Sequence, residues 1–458
     1  MASFISRCGR VYNLPFRWNK ILEIEENDSQ PDLFLCKLQF GLMRPPPSLS
    51  QTITIYQSVK PRRLRKTMDL GWRQFLAVRK ALLKQLVPVV YGVPLRKRAK
   101  RFGGDITKHP ERILLLNGAH IGDLIIATSL LPILRSAFPA AQIGFATGSW
   151  AQMVVRNHPD IAYTHCIDHW RANRSGKSFL GKMRQYRETR RQALQEIRNV
   201  NYDVALCLYN HFPDFLDLCW EAAIPVRVAF RNSFFSYLAS HLVDEPTNPF
   251  LHQGERMAQI LRVMPIEQTH FLLRKSTIPP VHASASQEVC HLLQTPDLAS
   301  AKYRIIHIGT GEPRREFPDH FWRELAEKLS PANTLLFTGR GPREAETIRR
   351  IIQGLPNCVN ACDRLSWDGY VSAVKHAELL YGVESMAGHL AGAVGTRCIV
   401  VYGGAAGVAR WRPEGRDSIV YTNHVPCAPC YLPAGCPEMT CMQGFGPNDL
   451  VSLTELDH

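Results

Sequence analysis

The chain has 458 residues, too many for one ordinary domain and suited to two or three. Hydrophobic residues make up 45% and charged residues 21%, which predicts a globular core, and the formal charge of +15 predicts affinity for phosphates on a small substrate, an anionic membrane or nucleic acid. The 13 cysteines are odd in number and scattered through apolar segments, which argues against a disulfide framework. No signal-peptide core opens the chain and no apolar run reaches ~18 residues, so we expect a cytosolic protein whose membrane contact is limited to its surface.

Residues 1–108 form a basic N-terminal extension interrupted by Pro45, Pro46 and Pro47. Within it, Trp72, Phe75, Leu76, Leu82, Leu83 and Leu86 alternate with Arg73, Arg79, Lys80 and Lys84, the pattern of a basic amphipathic helix. Such a helix docks either on an anionic leaflet or on the body of the protein, and amphipathicity alone does not separate the two. A nucleic-acid partner is disfavoured, because no helix-turn-helix, RRM or zinc-finger signature accompanies the charge.

From residue 112 the pattern changes to RILLLNGAHIGDLIIATSLLPILRSAFP. An apolar run at Ile113–Leu116 predicts a buried strand, Asn117 to Gly122 a turn, and the spacing of Leu124, Ala127, Leu131, Leu134 and Phe138 a helix closed by Pro139. Asp123 falls at the junction of turn and helix, at the carboxyl end of a strand, where the active sites of doubly wound sheets gather. Strands are expected at 143–146, 204–208 and 226–230, with helices at 185–200 and 253–264. The stretch 265–287 loses periodicity and is taken as a connection. The alternation resumes with strands at 304–308, 334–338, 379–382 and 398–402 and helices at 320–329, 343–353, 367–376 and 386–394. Two tandem βαβ arrays predict an α/β protein with two Rossmann-like, doubly wound lobes facing a cleft, 109–270 and 290–458.

The second array carries the anion-binding chemistry. In IHIGTGEPRREFP, Thr310, Arg314 and Arg315 follow a strand, and guanidinium forks pair with two phosphate oxygens at once. In LLFTGRGPREAETI, Gly339 and Gly341 precede a helix whose N-terminus offers free N–H donors. In LLYGVESMAGHLAGAVG, Glu384 stands at a strand end as a ribose-hydroxyl acceptor, Ser385 caps the next helix and His389 lies one turn in. The tail holds Cys427, Cys430, Cys436 and Cys441, a CxxC opening followed by a wider pair. It suits either a tetrahedral zinc or iron site or a set of reduced packing cysteines.

Taken together, the Gly122-Asp123 turn, the Arg315-Glu316-Phe317-Pro318 strand-turn, the FTGRGPREAE turn, the Glu384–His389 box and the Cys-rich tail resemble the heptosyltransferases of glycosyltransferase family nine, over about residues 111 to 450. The resemblance implies the GT-B fold and inverting transfer of heptose from ADP-heptose to a lipopolysaccharide precursor. It also implies that catalysis requires no metal and that the setting is the cytoplasmic membrane face. It implies Asp123 as catalytic base, with His120 and Gly122 on the acceptor side. On the donor side it implies Thr310, Arg314, Arg315, Gly339, Glu384, Ser385 and His389. Met386 stands where the family has glycine, which keeps a protein acceptor or another nucleotide sugar as an alternative, and a non-catalytic binder of membranes or nucleic acid as a second. Aspartate at a helix start is also a common N-cap, and capping lowers the pKa that a base needs.

Overall fold

A computed structural model describes the backbone of residues 20–26, 33–40 and 52–58, then residues 105–106 and 109–455 except 212, 405–406, 416, 431, 433–435 and 437. The amphipathic stretch at 71–93 lies outside the described residues.

The first lobe is a six-stranded parallel sheet of β4 (Arg112–Leu116), β5 (Gln142–Thr147), β6 (Tyr163–Cys166), β7 (Val204–Cys207), β8 (Val226–Phe230) and β9 (His241–Val243), in the order β6-β5-β4-β7-β8-β9. Helices cover both faces, which is why Ile113 to Leu116 read as an unbroken apolar run and are buried. The order reverses between β4 and β7. That reversal opens a crevice at the carboxyl ends of those strands.

The second lobe repeats this topology with β10 (Tyr303–His307), β11 (Thr334–Thr338), β12 (Cys358–Asn360), β13 (Leu379–Val383), β14 (Cys398–Tyr402) and β15 (Ser418–His424). Its sheet runs β12-β11-β10-β13-β14-β15, with the reversal between β10 and β13. Three further strands come from the N-terminal zone, where sequence periodicity showed none: β1 (Lys20–Glu26), β2 (Leu33–Phe40) and β3 (Thr52–Ser58). Here β3 pairs parallel to β15, and β2 and β1 follow antiparallel, so the sheet has nine strands.

Helices α1 (Ile121–Ala127) and α2 (Leu131–Ala137) divide what the sequence predicts as one helix. A 3-10 turn at Thr128–Leu130 separates them. Pro132 has no N–H to give to the carbonyl of Thr128, and the Thr128 hydroxyl donates back to the Ile125 carbonyl at 2.7 Å. The remaining helices are α3 (Phe179–Val200), α4 (Leu216–Glu221), α5 (Gln253–Ala258), α6 (Ser284–Leu293), α7 (Asp319–Leu329), α8 (Pro342–Ile352), α9 (Trp367–His376), α10 (Met386–Val394), α11 (Val408–Trp411) and α12 (Pro447–Thr454). The start of α6 at Ser284 shortens the aperiodic connection from its C-terminal side.

One apolar cluster runs through both lobes. It joins Leu124, Leu131 and Ile143 of the first to Ala387, Leu390 and Val400 of the second. Helix α1 packs directly on α10, which brings the Gly-Asp turn of one lobe against the Glu-Ser-Met-Ala-Gly-His segment of the other.

Candidate active site between the lobes

The turn after β4 is fixed by its own side chains. Asn117 is buried, and its Oδ1 accepts the Ala119 N–H at 3.0 Å. Gly118 leaves room for the Phe215 ring, which a Cβ would approach to 2.6 Å. His120 is the N-cap of α1 and Asp123 its third residue, so Asp123 is not the cap that the sequence suggests. Its Oδ2 accepts the His120 N–H at 3.4 Å. Desolvation by burial lifts the Asp123 carboxyl above the ordinary aspartate range. This outweighs its backbone hydrogen bonds and the nearby Arg410 and Arg174 cations. The carboxylate is therefore a stronger base than an exposed cap would be. Burial, with Arg174, pushes the His120 imidazole down to about 4, so it is neutral at neutral pH. Trp150 steadies this turn by donating Nε1–H to the Ala119 carbonyl at 2.8 Å.

Gly122 faces the second lobe, where a Cβ would lie 3.1 Å from Cδ2 of His389. The His389 ring is pushed down to about 3 by burial, with His252 and Arg315 adding to the effect. At the head of the same helix, Ser385 accepts the Ala387 N–H at 3.4 Å, as a cap should.

Arg315 and Glu384 stand on either side of the second reversal, after β10 and β13. Arg315 Nη1 is 3.3 Å from Glu384 Oε1 and its Nη2 is 3.3 Å from Glu312 Oε2. Arg314 Nε reaches the same Glu312 oxygen at 2.6 Å. The Thr310 hydroxyl donates to the Glu384 carbonyl at 3.3 Å and ties the two loops together. Burial pushes the Glu384 carboxyl up to about 7 against the pull of Arg315 and Arg314. Glu384 Oε2, Arg314 Nη1 and Arg315 Nε are buried without a hydrogen-bond partner. Such a cluster of unmatched donors and a half-neutral acid is suited to a polar, anionic ligand.

Gly309 and Gly339 close this floor under the Glu344 carboxylate, which a Cβ would approach to 2.3 and 2.7 Å. Glu344 Oε2 accepts the Arg340 N–H at 2.8 Å, and Asp363 accepts the Gly341 N–H at 2.8 Å. The N–H groups that precede α8, which the sequence offers to a phosphate, are thus held by the chain's own carboxylates.

The cysteines of the tail, Cys427, Cys430, Cys436 and Cys441, form no disulfide. Burial raises the Cys441 thiol, which also feels the other three. Among the described residues no group of three His, Cys, Asp or Glu side chains is arranged to hold a zinc or iron ion.

Several residues at the cleft carry no sequence signal. Arg174 lies in the loop between β6 and α3, 3.9 Å from Glu312 across the lobes. His252, Arg274 and Glu414 form a second bridge. Arg274 pairs with Glu414 through two hydrogen bonds of 2.7 and 2.6 Å, and His252 Nδ1 is 3.0 Å from the same carboxylate. Arg410 donates to Gln253 Oε1 at 2.6 Å. Isolated charged residues in loops have no periodicity, and only the packing of the lobes reveals them.

Residues 190–438 match the family model described as glycosyltransferase family 9 (heptosyltransferase). The chain is 24% identical over 327 residues to lipopolysaccharide heptosyltransferase 1 of Pseudomonas aeruginosa, covering 70% of this chain and 86% of that relative. Among solved structures it is similar to a family 9 glycosyl transferase of Veillonella parvula, with a TM-score of 0.60 at 15% identity over 77% of this chain and 98% of that one. It is also similar to the ADP-heptose lipopolysaccharide heptosyltransferase II of E. coli, with a TM-score of 0.58 at 18% identity over 75% and 97%. A heptosyltransferase of E. coli solved with ADP gives a TM-score of 0.55 at 16% identity over 75% and 99%.

Proposed function

This chain belongs to glycosyltransferase family 9, the heptosyltransferases, and from that premise we propose that it transfers heptose from ADP-heptose to a lipopolysaccharide inner-core acceptor, with inversion and without a catalytic metal. The relatives' names support both substrates. The observation that carries the reading is the apposition of Gly122 and Asp123 to the Ser385–His389 helix, with Arg315 and Glu384 alongside.

In this reading residues 109–270 hold the acceptor and 290–458 the donor. Asp123 takes the proton of an acceptor hydroxyl while that oxygen attacks the anomeric carbon from the face opposite the leaving group. The bond from carbon to the phosphate oxygen breaks, and ADP departs with its electron pair. Arg314, Arg315 and the N-terminus of α10 meet the growing negative charge, the task a divalent ion performs elsewhere. His120, neutral, orients the acceptor, Thr310 holds the donor loop against the Glu384 strand end, and Glu384 accepts from a ribose hydroxyl. A lipid acceptor places the work at the cytoplasmic membrane surface, and no described helix is long and apolar enough to cross a membrane.

The test is turnover of ADP-heptose by the native protein and by Asp123→Asn, with a lipopolysaccharide precursor and with a protein as acceptor, read by mass spectrometry. Loss of transfer in the variant supports the mechanism, and undiminished transfer removes Asp123 as base. Modification of the protein acceptor alone would reassign the substrate.

A further inference from the structure

We propose that Glu312 is a built-in stand-in for the donor diphosphate, and that Arg174, presented by the opposite lobe, passes from Glu312 to the phosphates when the donor enters. The inference rests on the donor role of Arg314 and Arg315 given above.

Three guanidinium groups converge on this one carboxylate. Arg314 Nη2 lies 2.5 Å from Glu312 Oε2, Arg315 Nη2 3.3 Å from the same oxygen and Arg174 Nη2 3.9 Å from Oε1. Partial burial works against ionisation of Glu312. The arginines prevail and hold its carboxyl below the usual range, Arg315 and Arg314 ahead of Arg174. Two carboxylate oxygens cannot satisfy three forked donors, and buried N–H groups of both Arg314 and Arg315 have no acceptor. A diphosphate brings more oxygens and more charge to the same place, so it competes for these arginines on favourable terms.

The approach of Arg174 is built into the backbone on both sides of the cleft. On its own lobe the loop is pinned by Asn173, which is buried and accepts the Ser175 N–H through Oδ1 at 2.9 Å. On the other lobe Gly311 leaves the space the guanidinium fills, since a Cβ there would stand 1.9 Å from Arg174 Nη1. The Arg174 side chain is half exposed, which leaves it free to follow a new anion. Arg174 also acts on Asp123 and His120 through its charge, so its movement reports donor arrival to the acceptor side.

The experiment is ADP and inorganic pyrophosphate titration by calorimetry on the full chain, for the native protein, Glu312→Gln, Arg174→Ala, the double variant and Arg315→Ala. Glu312→Gln should bind ADP tighter by roughly three- to tenfold, because no internal anion must be displaced, and Arg174→Ala should abolish most of that gain. A carboxylate that only scaffolds the arginines predicts the opposite sign. Unchanged or weaker ADP binding by a folded Glu312→Gln protein would therefore overturn the proposal while leaving the donor site standing. ADP binding untouched by Arg315→Ala would instead remove the donor site itself, and this inference with it. Thermal melts confirm that each variant is folded, and Glu312→Ala serves if the glutamine variant is not.

Discussion

Gly122 of the first lobe stands directly against the His389 imidazole of the second, so near that a single added methyl group would lie 3.1 Å from the ring. The contact sets how closely the turn before α1 approaches α10.

Gly122→Ala should therefore push α1 and α10 apart by a few tenths of an ångström at a cost of about 1–2 kcal/mol, and Gly122→Val should cost more. The check is the melting temperature together with kcat/KM. A variant that matches the native protein in both would show that the approach is not tight.

With Asp123 as the proposed base, its raised pKa should give the rate an acidic limb. The base works when deprotonated, so kcat/KM should fall as pH drops through a value above the ordinary aspartate pKa of about 3.9. His120, pushed down to about 4, stays neutral and adds no limb in the neutral range. Asp123→Asn should lower kcat by about 10²–10⁴ with the fold intact.

Glu384 makes stability depend on pH near neutrality. Burial raises its carboxyl from 4.5 to about 7, so the fold favours the protonated form. Its contribution is complete below about 4.5 and is lost as pH rises through about 7. The native protein should thus lose melting temperature relative to Glu384→Gln between pH 5 and pH 8. A difference that stays flat over that interval would contradict the assignment.

The Glu414 bridge behaves in the opposite sense. Burial opposes its charge, but the His252 ring and the Arg274 guanidinium hold its carboxyl well below 4.5. Its stabilisation is present above 4.5 and disappears only as pH falls through the lowered value. Glu414→Gln strands a buried guanidinium and should cost about 3–5 kcal/mol in a denaturant titration at pH 7.

Because arginines and a helix N-terminus are assigned the charge of the leaving group, transfer should persist in excess EDTA. A loss restored by magnesium would reassign that role.

The central strands β4, β5, β7, β8, β10, β11, β13 and β14 are legible because they are buried on both faces and read as apolar runs, whereas β15, whose SIVYTNH mixes polar residues into the run, is not. Strand β14 at Cys398–Tyr402 and helix α10 at Met386–Val394 coincide with expectation to the residue. The short or edge strands β6, β9 and β12 lack such runs. Strands β1 to β3 precede the basic runs of the extension, and neither KILEIEE nor LFLCKLQF alternates strictly enough to mark a strand by period alone. At the site, motif residues such as Asp123, Arg315 and Glu384 stood out because each follows a strand. Arg174 did not, because its partner lies on the opposite lobe, and Glu312 did not, because only the folded turn draws Arg314 and Arg315 onto it. The N-cap position falls on His120, and Asp123, three residues on, accepts its N–H instead, an offset that spacing alone does not resolve.

The apolar cluster that threads from Leu124 and Leu131 to Leu390 and Val400 has a consequence for how the protein comes apart. Two lobes with private interiors would melt one after the other. Each lobe here has a cluster of its own, but the shared one is lined by both, so neither half can open without stripping the other of part of its lining, and heating should produce a single calorimetric peak. Loss of one lobe is loss of both.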